Sequence, residues 1–203
     1  MRKWIPFLLF TFVSLVACHD STLDEEQVLY HYDKFLQDAR ELFSHHVKDG
    51  DIYYNQKYHT QESIEQFLSN YMTETGVKAL INELFVAKEG KLIYKEQFQH
   101  YLQDRRPIGS EYREDYYHIV RESVLNPGLR FVDGDEVDIH EENGLILIEG
   151  EQIPIYFYDE TSMYAKEQFG RFGYPSFDQL SISVSLVKDG SDYLVEQFTV
   201  KSS

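Results

Sequence analysis

Three groups of polar residues in this chain have the types and intervals that chemistry requires. Glu114, His118 and Glu122 recur every four residues, so on a helix they share one face and present one nitrogen and two oxygens to a metal ion. No HExxH frame accompanies them, and ion pairing with Arg113 or Arg121 is the competing use of that face. Asp133-Gly134-Asp135-Glu136-Val137-Asp138 opens like a calcium loop. An EF-hand frame beginning at Asp133 needs an oxygen ligand at Val137, glycine at Asp138 and glutamate at Gly144. All three are missing, and Asp133–Glu142 reads as an acidic solvated hairpin whose Asp133, Asp135 and Asp138 are candidates for binding. Ser185 and Lys188 stand at the interval of a serine–lysine nucleophile pair, a chemistry that needs the serine at a helix start. Here the residues alternate as in a strand, which sends the two side chains to opposite faces. There is no GxSxG elbow and no Gly-rich phosphate loop. His45-His46 offers one ring to a helix's buried face and one to solvent, with no partner identifiable for either.

Phe169-Gly170-Arg171-Phe172-Gly173-Tyr174-Pro175-Ser176-Phe177 points to recognition instead. Four aromatics and an arginine stand among two glycines and a proline, the residue types that dominate binding energies on the segments that carry them. Phe169, Arg171, Phe172, Tyr174 and Phe177 are therefore candidate binding residues. The competing use of these rings is to close the core beneath an irregular backbone.

Cys18 is the only thiol. Arg2 and Lys3 precede an uncharged, mostly apolar run from Trp4 to Val16, too short for the about 20 residues of a membrane-spanning helix. Leu15-Val16-Ala17-Cys18, closing that run, resembles the lipobox of bacterial lipoproteins. The resemblance implies cleavage before Cys18 and a diacylglyceryl group, with palmitate-type chains, on its sulfur. The 19 basic residues fall to 17 once Arg2 and Lys3 are removed, against 35 acidic ones. Such a surface repels nucleic acid and anionic headgroups alike, so attachment falls to the lipid, and two acyl chains suffice where one does not. The implied address is the extracytoplasmic face of the cell membrane.

The elements that would position these residues follow from period and punctuation. Val28, Leu29, Tyr32, Phe35, Leu36, Ala39, Leu42, Phe43, His46 and Val47 share a helical face, with Thr22 and Glu25 in capping-box register and a stop near Asp49-Gly50. Thr60 and Thr73 cap two further helices, Lys88–Lys91 turns into a short strand Leu92–Tyr94, and a fourth helix is expected over Ser110–Leu125. From Leu129 the period becomes two. Strands are expected at Leu129–Val132, Glu136–Ile139, Leu145–Ile148 and Ile153–Phe157, and Leu180–Val187 with Tyr193–Val200 forms a hairpin across Asp189-Gly190. Residues 1–17 are thus a signal peptide, 18–24 a short tether and 25–203 one α+β domain. In it N-terminal helices (25–126) pack on a C-terminal, mainly antiparallel sheet (129–203).

Thr60, Ile64, Phe67-Leu68, Tyr71-Met72-Thr73, Val77, Leu80-Ile81, Phe85 and Gly90-Lys91-Leu92 are similar in order and spacing to IseA-type inhibitors of cell-wall DL-endopeptidases. More loosely they resemble NTF2-like lipoprotein domains. The acidic Gly-rich loop of the IseA type is replaced by Gln97–Arg106, and no inhibitory residue carries over. The function expected is a non-catalytic binding or regulatory module for an envelope protein or a peptidoglycan-related wall component, with no cofactor. The alternatives are a carboxylate- or metal-dependent envelope enzyme and an NTF2-like pocket for a small ligand. Intact-mass spectrometry of protein from its native host is expected to give a chain beginning at Cys18 with acyl mass on its sulfur; a product beginning at Met1 would refute the lipid anchor.

Overall fold

The computed structural model describes residues 23–203. The signal segment, Cys18 and the Thr22 cap lie outside the described residues. Helix α1 spans Glu25–Leu42 and is capped by Asp24, whose carboxylate accepts from the Gln27 amide at 3.1 Å. It ends well before Asp49-Gly50, because side chains take its last carbonyls. Fully buried Asn55 donates from Nδ2 to the carbonyls of Glu41 (2.9 Å) and Leu42 (3.0 Å), while its Oδ1 accepts from the amides of Lys57 and Tyr58 (2.8 and 3.0 Å). The Tyr94 hydroxyl reaches the carbonyls of Leu42 and Ser44 at 3.2 and 3.0 Å. With those acceptors occupied the chain turns through His45, φ +46°, and continues as a hairpin of β1 (His46–Asp49) and β2 (Ile52–Asn55).

The hydroxyls of Thr60 and Thr73 start α2 (Gln61–Leu68) and α3 (Glu74–Leu84), each accepting an amide at 3.1 Å. A second hairpin, β3 (Phe85–Lys88) with β4 (Lys91–Tyr94), leads into α4 (Glu96–Gln103), a helix the sequence reading lacks. The helix expected over Ser110–Leu125 shrinks to α5, Tyr116–Val120, because Asp115 is extended and the residues from Arg121 onward form turns. The strand expected at Leu129–Val132 is replaced by a 3-10 turn over Pro127–Phe131. Pro127 supplies a helical φ there, and the Asn126 side chain accepts from the Gly128 amide at 2.8 Å.

Four strands then run as an antiparallel meander: β5 (Asp138–Glu142), β6 (Leu145–Tyr156), β7 (Phe177–Asp189) and β8 (Asp192–Ser202). The two strands expected between Leu145 and Phe157 are one strand, irregular between Gly150 and Ile153. Helix α6 (Met163–Gly170) and a following turn connect β6 to β7, so most of the aromatic stretch is not an open loop. Leu180, Ile182, Val184 and Leu186 of β7 point inward with Ile146, Ile148 and Ile155 of β6, against Val28, Phe35 and Leu36 of α1 and Val77 and Leu80 of α3. The chain is α+β, with its N-terminal helices packed on the C-terminal sheet. Contact is closest at Gly76, where a Cβ would stand 2.3 Å from the Val195 carbonyl oxygen; Val195 bonds to Tyr71 and Thr73 at the same place. No described helix is long and apolar enough to cross a membrane.

Asn55→Ala strips buried partners from the end of α1 and from two amides at once. It should lower unfolding free energy by about 3 kcal/mol, read as a fall in the urea midpoint at constant m-value.

Candidate functional site

Four separate stretches of chain meet at the C-terminal end of α1. Phe43 follows the helix, His46 opens β1, Tyr101 lies on α4, Tyr116 begins α5, and Phe172 and Tyr174 come from the turn between α6 and β7. Together they line a pocket of about 310 Å³. Phe43 is held from behind by Tyr94 and Phe98, with ring centroids 5.0 and 4.8 Å away, and faces the Tyr116 ring nearly parallel at 6.3 Å. Tyr101 meets Tyr116 at 5.4 Å, while Tyr174 rests on Tyr117 and Phe157 at 5.5 and 5.4 Å. Rings packed this way are fixed walls.

The Phe172–Tyr174 corner is fixed by backbone. The Tyr117 amide donates to the Phe172 carbonyl at 3.0 Å, and Gly173 donates to the Gly170 carbonyl at 2.8 Å. Gly173 has φ +77°, and a Cβ there would stand 2.3 Å from Asp115 Cβ. Only glycine fits. Tyr117 is itself held by its hydroxyl's bond to the buried carboxylate of Asp178.

The pocket's polar groups are few and defined. The Tyr94 hydroxyl gives its proton to a carbonyl, so His46 Nδ1, 3.1 Å from that oxygen, is the donor and Nε2 keeps a free lone pair. Burial lowers the His46 pKa and the neighbouring His45 pushes it the same way, so the ring is neutral at pH 7. Burial raises the phenols of Tyr101, Tyr116 and Tyr174, which keeps them protonated and able to donate. The lining holds no Asp or Glu.

Of the residues singled out in the sequence, Phe172 and Tyr174 belong to this pocket, and the Arg171 guanidinium lies 4.8 Å over the Phe172 ring. Phe169 and Phe177 are exposed beside it, Phe169 stacked on Tyr158 at 6.0 Å and Phe177 against Tyr156 at 5.1 Å. Asp133, Asp135 and Asp138 do not join them. The Asp133 amide donates to Glu136 (3.1 Å) in a 3-10 turn that packs Gly134 near Leu29, in the first turns of α1. Asp135 is exposed in the same turn, and Asp138 faces Glu149 across β5 and β6 with His140 Nδ1 at 3.1 Å. Asp138 borders an open groove of about 520 Å³ on the outer face of the sheet, edged by Glu149, Ser183 and Thr199. That groove is larger than the tyrosine pocket, and Glu136, Asp138, Glu149, Glu151 and Lys201 along it make its lining strongly charged.

Glu114 and Glu122 fall outside α5, so the shared helical face does not exist; Glu114 merely approaches His118 at 4.0 Å. Among the described residues no three His, Cys, Asp or Glu side chains are grouped to hold a metal ion. Ser185 is buried in β7 and Lys188 is exposed on the opposite face. Phe43, His46, Tyr101 and Tyr116 were not foreseen as site residues. Comparison with family models, curated proteins and solved structures finds no match to this chain.

A histidine whose folded pKa is depressed contributes stability above the unfolded value of about 6.5 and loses it as pH falls through the folded value. Urea unfolding of wild type between about pH 7.5 and about pH 5.5 should therefore fall more steeply than that of His46→Gln. Equal slopes would show that His46 is not held neutral.

Proposed function

We propose that the mature chain is a non-catalytic binding module, held by a diacylglyceryl group on Cys18 at the outer face of the cell membrane. It engages an envelope protein or a wall component through the tyrosine pocket. The observation that carries this reading is the pocket itself: apolar walls in fixed orientation, and a small number of hydrogen-bonding groups the protein does not use. The hydroxyls of Tyr116 and Tyr174 and the Nε2 of His46 have no protein partner among the described residues. Sites that hold small groups are built this way.

Orientation supports the same reading. Gln27, in the first turn of α1, donates to the Ser191 carbonyl at 2.8 Å, so the helix starts beside the turn between β7 and β8. Its 18 residues then run about 27 Å to Phe43. A tether of six residues, His19 to Asp24, extends about 20 Å at most. A chain anchored at Cys18 therefore keeps its near end on the membrane and presents the pocket outward, toward the wall. The exposed rings of Tyr156, Tyr164, Phe169 and Phe177 extend the apolar surface around that outer end.

The test is capture from envelope extracts with lipid-free residues 19–203. Tyr101→Ala and Phe172→Ala should each lose the captured partner, while Tyr30→Ala, at the exposed start of α1, should retain it. Equal capture by all three would remove the pocket from function.

A further inference from the structure

A second cavity opens at the other end of α1, beside the turn between β7 and β8. About 440 Å³ in volume, it has His31, Asn70, Tyr71, Asp189 and Asp192 in its wall. His31 is the unusual member. Its side chain is only 5 % exposed and makes no hydrogen bond: Nδ1 is sealed in without a partner, and Nε2 stands 4.0 Å from Asp192 Oδ1, too far to bond. The rings of Tyr71 and Tyr193, with centroids 6.1 and 6.0 Å from the imidazole, pack around it.

The charges in the cavity wall have one sign. Asp189 and Asp192 line it, and no lysine or arginine does. Among the described residues neither carboxylate has a Lys or Arg nitrogen within 4.0 Å, and Asp192 Oδ1 accepts from the neutral Gln27 side chain at 3.2 Å. Lys188, next to Asp189 in the chain, stands across the hairpin from Tyr193. Lys34 lies 5.0 Å over the Tyr71 ring, but its charge is matched by the buried Asp38 carboxylate at 2.6 Å.

Burial pushes the His31 pKa down against the opposing pull of Asp192, so the ring is neutral at pH 7 and carries a lone pair on one nitrogen. A nitrogen with several N–H donors can reach Nε2 and Asp192 Oδ1 together, since two bonds of about 2.9 Å readily bridge that separation. A hydroxyl has one proton and serves only one of them. An ammonium group has three, and brings the charge that the two carboxylates lack. A divalent ion needs more ligands, and among the described residues no three His, Cys, Asp or Glu side chains are grouped to supply them.

We propose that this cavity is a second binding site, separate from the tyrosine pocket, for a primary ammonium group. The group donates to His31 Nε2 and to Asp192, and Asp189 adds its charge. A free amine and an aminated lipid headgroup both carry this chemistry, and the cavity lies at the end of α1 that follows the tether.

The probes are butylammonium, butanol and butyrate, which share an alkyl chain and differ in charge. Their binding to the mature chain is measured by calorimetry, with the His31 ring protons followed by NMR. Butylammonium should shift those protons and bind about tenfold or more tighter than butanol, the scale of a charge-assisted hydrogen bond. Butyrate should bind no tighter than butanol. Asp192→Asn, at an exposed position, should erase most of the ammonium advantage, and Asp189→Asn should reduce it. Glu111→Gln, which removes an exposed carboxylate elsewhere, should leave it intact. Glycerophosphoethanolamine binding tighter than butylammonium would support a headgroup as the source, and weaker binding a free amine. Equal binding of butylammonium and butanol would overturn the proposal. So would an advantage that survives when Asp189 and Asp192 are both changed to Asn, or binding that leaves the His31 ring protons unmoved.

Discussion

The amide of Asn55 decides how this chain is assembled. An α-helix leaves its last carbonyls without partners, and a buried carbonyl has to find one. At the end of α1 two of those partners are on Asn55 Nδ2 and another is the hydroxyl of Tyr94, so residues 13 and 52 positions away determine where the helix stops. The same amide group also closes the turn after β2 through Lys57 and Tyr58. One fully buried side chain thus fixes the helix end, the direction of the first hairpin and the placement of Phe43 and His46. Had α1 continued, both rings would have stayed on a helix face and no pocket would form beneath Tyr101.

The opposite wall depends on a second constraint of a different kind. There the fit is steric: Gly173 passes so close to Asp115 that any side chain collides, and the hydrogen bond from the Tyr117 amide to the Phe172 carbonyl locks the corner to α5. Neither wall is made by the sheet. The sheet and the helices on it form a closed apolar core, and the pocket grows at the edge of that core, where aromatic side chains from short, irregular segments outnumber the aliphatic ones. Its floor is rigid because Tyr94, Phe98, Tyr117 and Phe157 behind it are buried.

Elements whose signals are local were legible in the sequence. Thr60 and Thr73 cap the helices they announce, the change of period marks the sheet, and the hairpin at Asp189-Gly190 pairs as its alternation requires. Misreadings arose where a distant group overrode a local pattern. The apolar spacing of α1 runs on through His46 and Val47, yet Asn55 and Tyr94 end the helix at Leu42. Tyr112, Tyr116, Ile119 and Val120 share a helical period, but the tight approach of Gly173 to Asp115 and the extended Asp115 backbone confine α5 to five residues. The site was half visible for the same reason. Phe172 and Tyr174 stand out because aromatics crowd among glycines, whereas Phe43 and Tyr116 look like ordinary members of a buried face, and Tyr101 sits on a helix that carries no cap signal.

Helix α1 also has a mechanical character. It enters the fold at one end and finishes at the other, with Val28, Phe35, Leu36, Ala39 and Leu42 buried along its length. A pull on the N-terminus along the axis, away from Phe43, loads all of these contacts in shear at once. A peeling force would break them singly. The far end of that strut is clamped by Asn55 and Tyr94, so tension arriving from the N-terminal side reaches the pocket wall without first unravelling the strands.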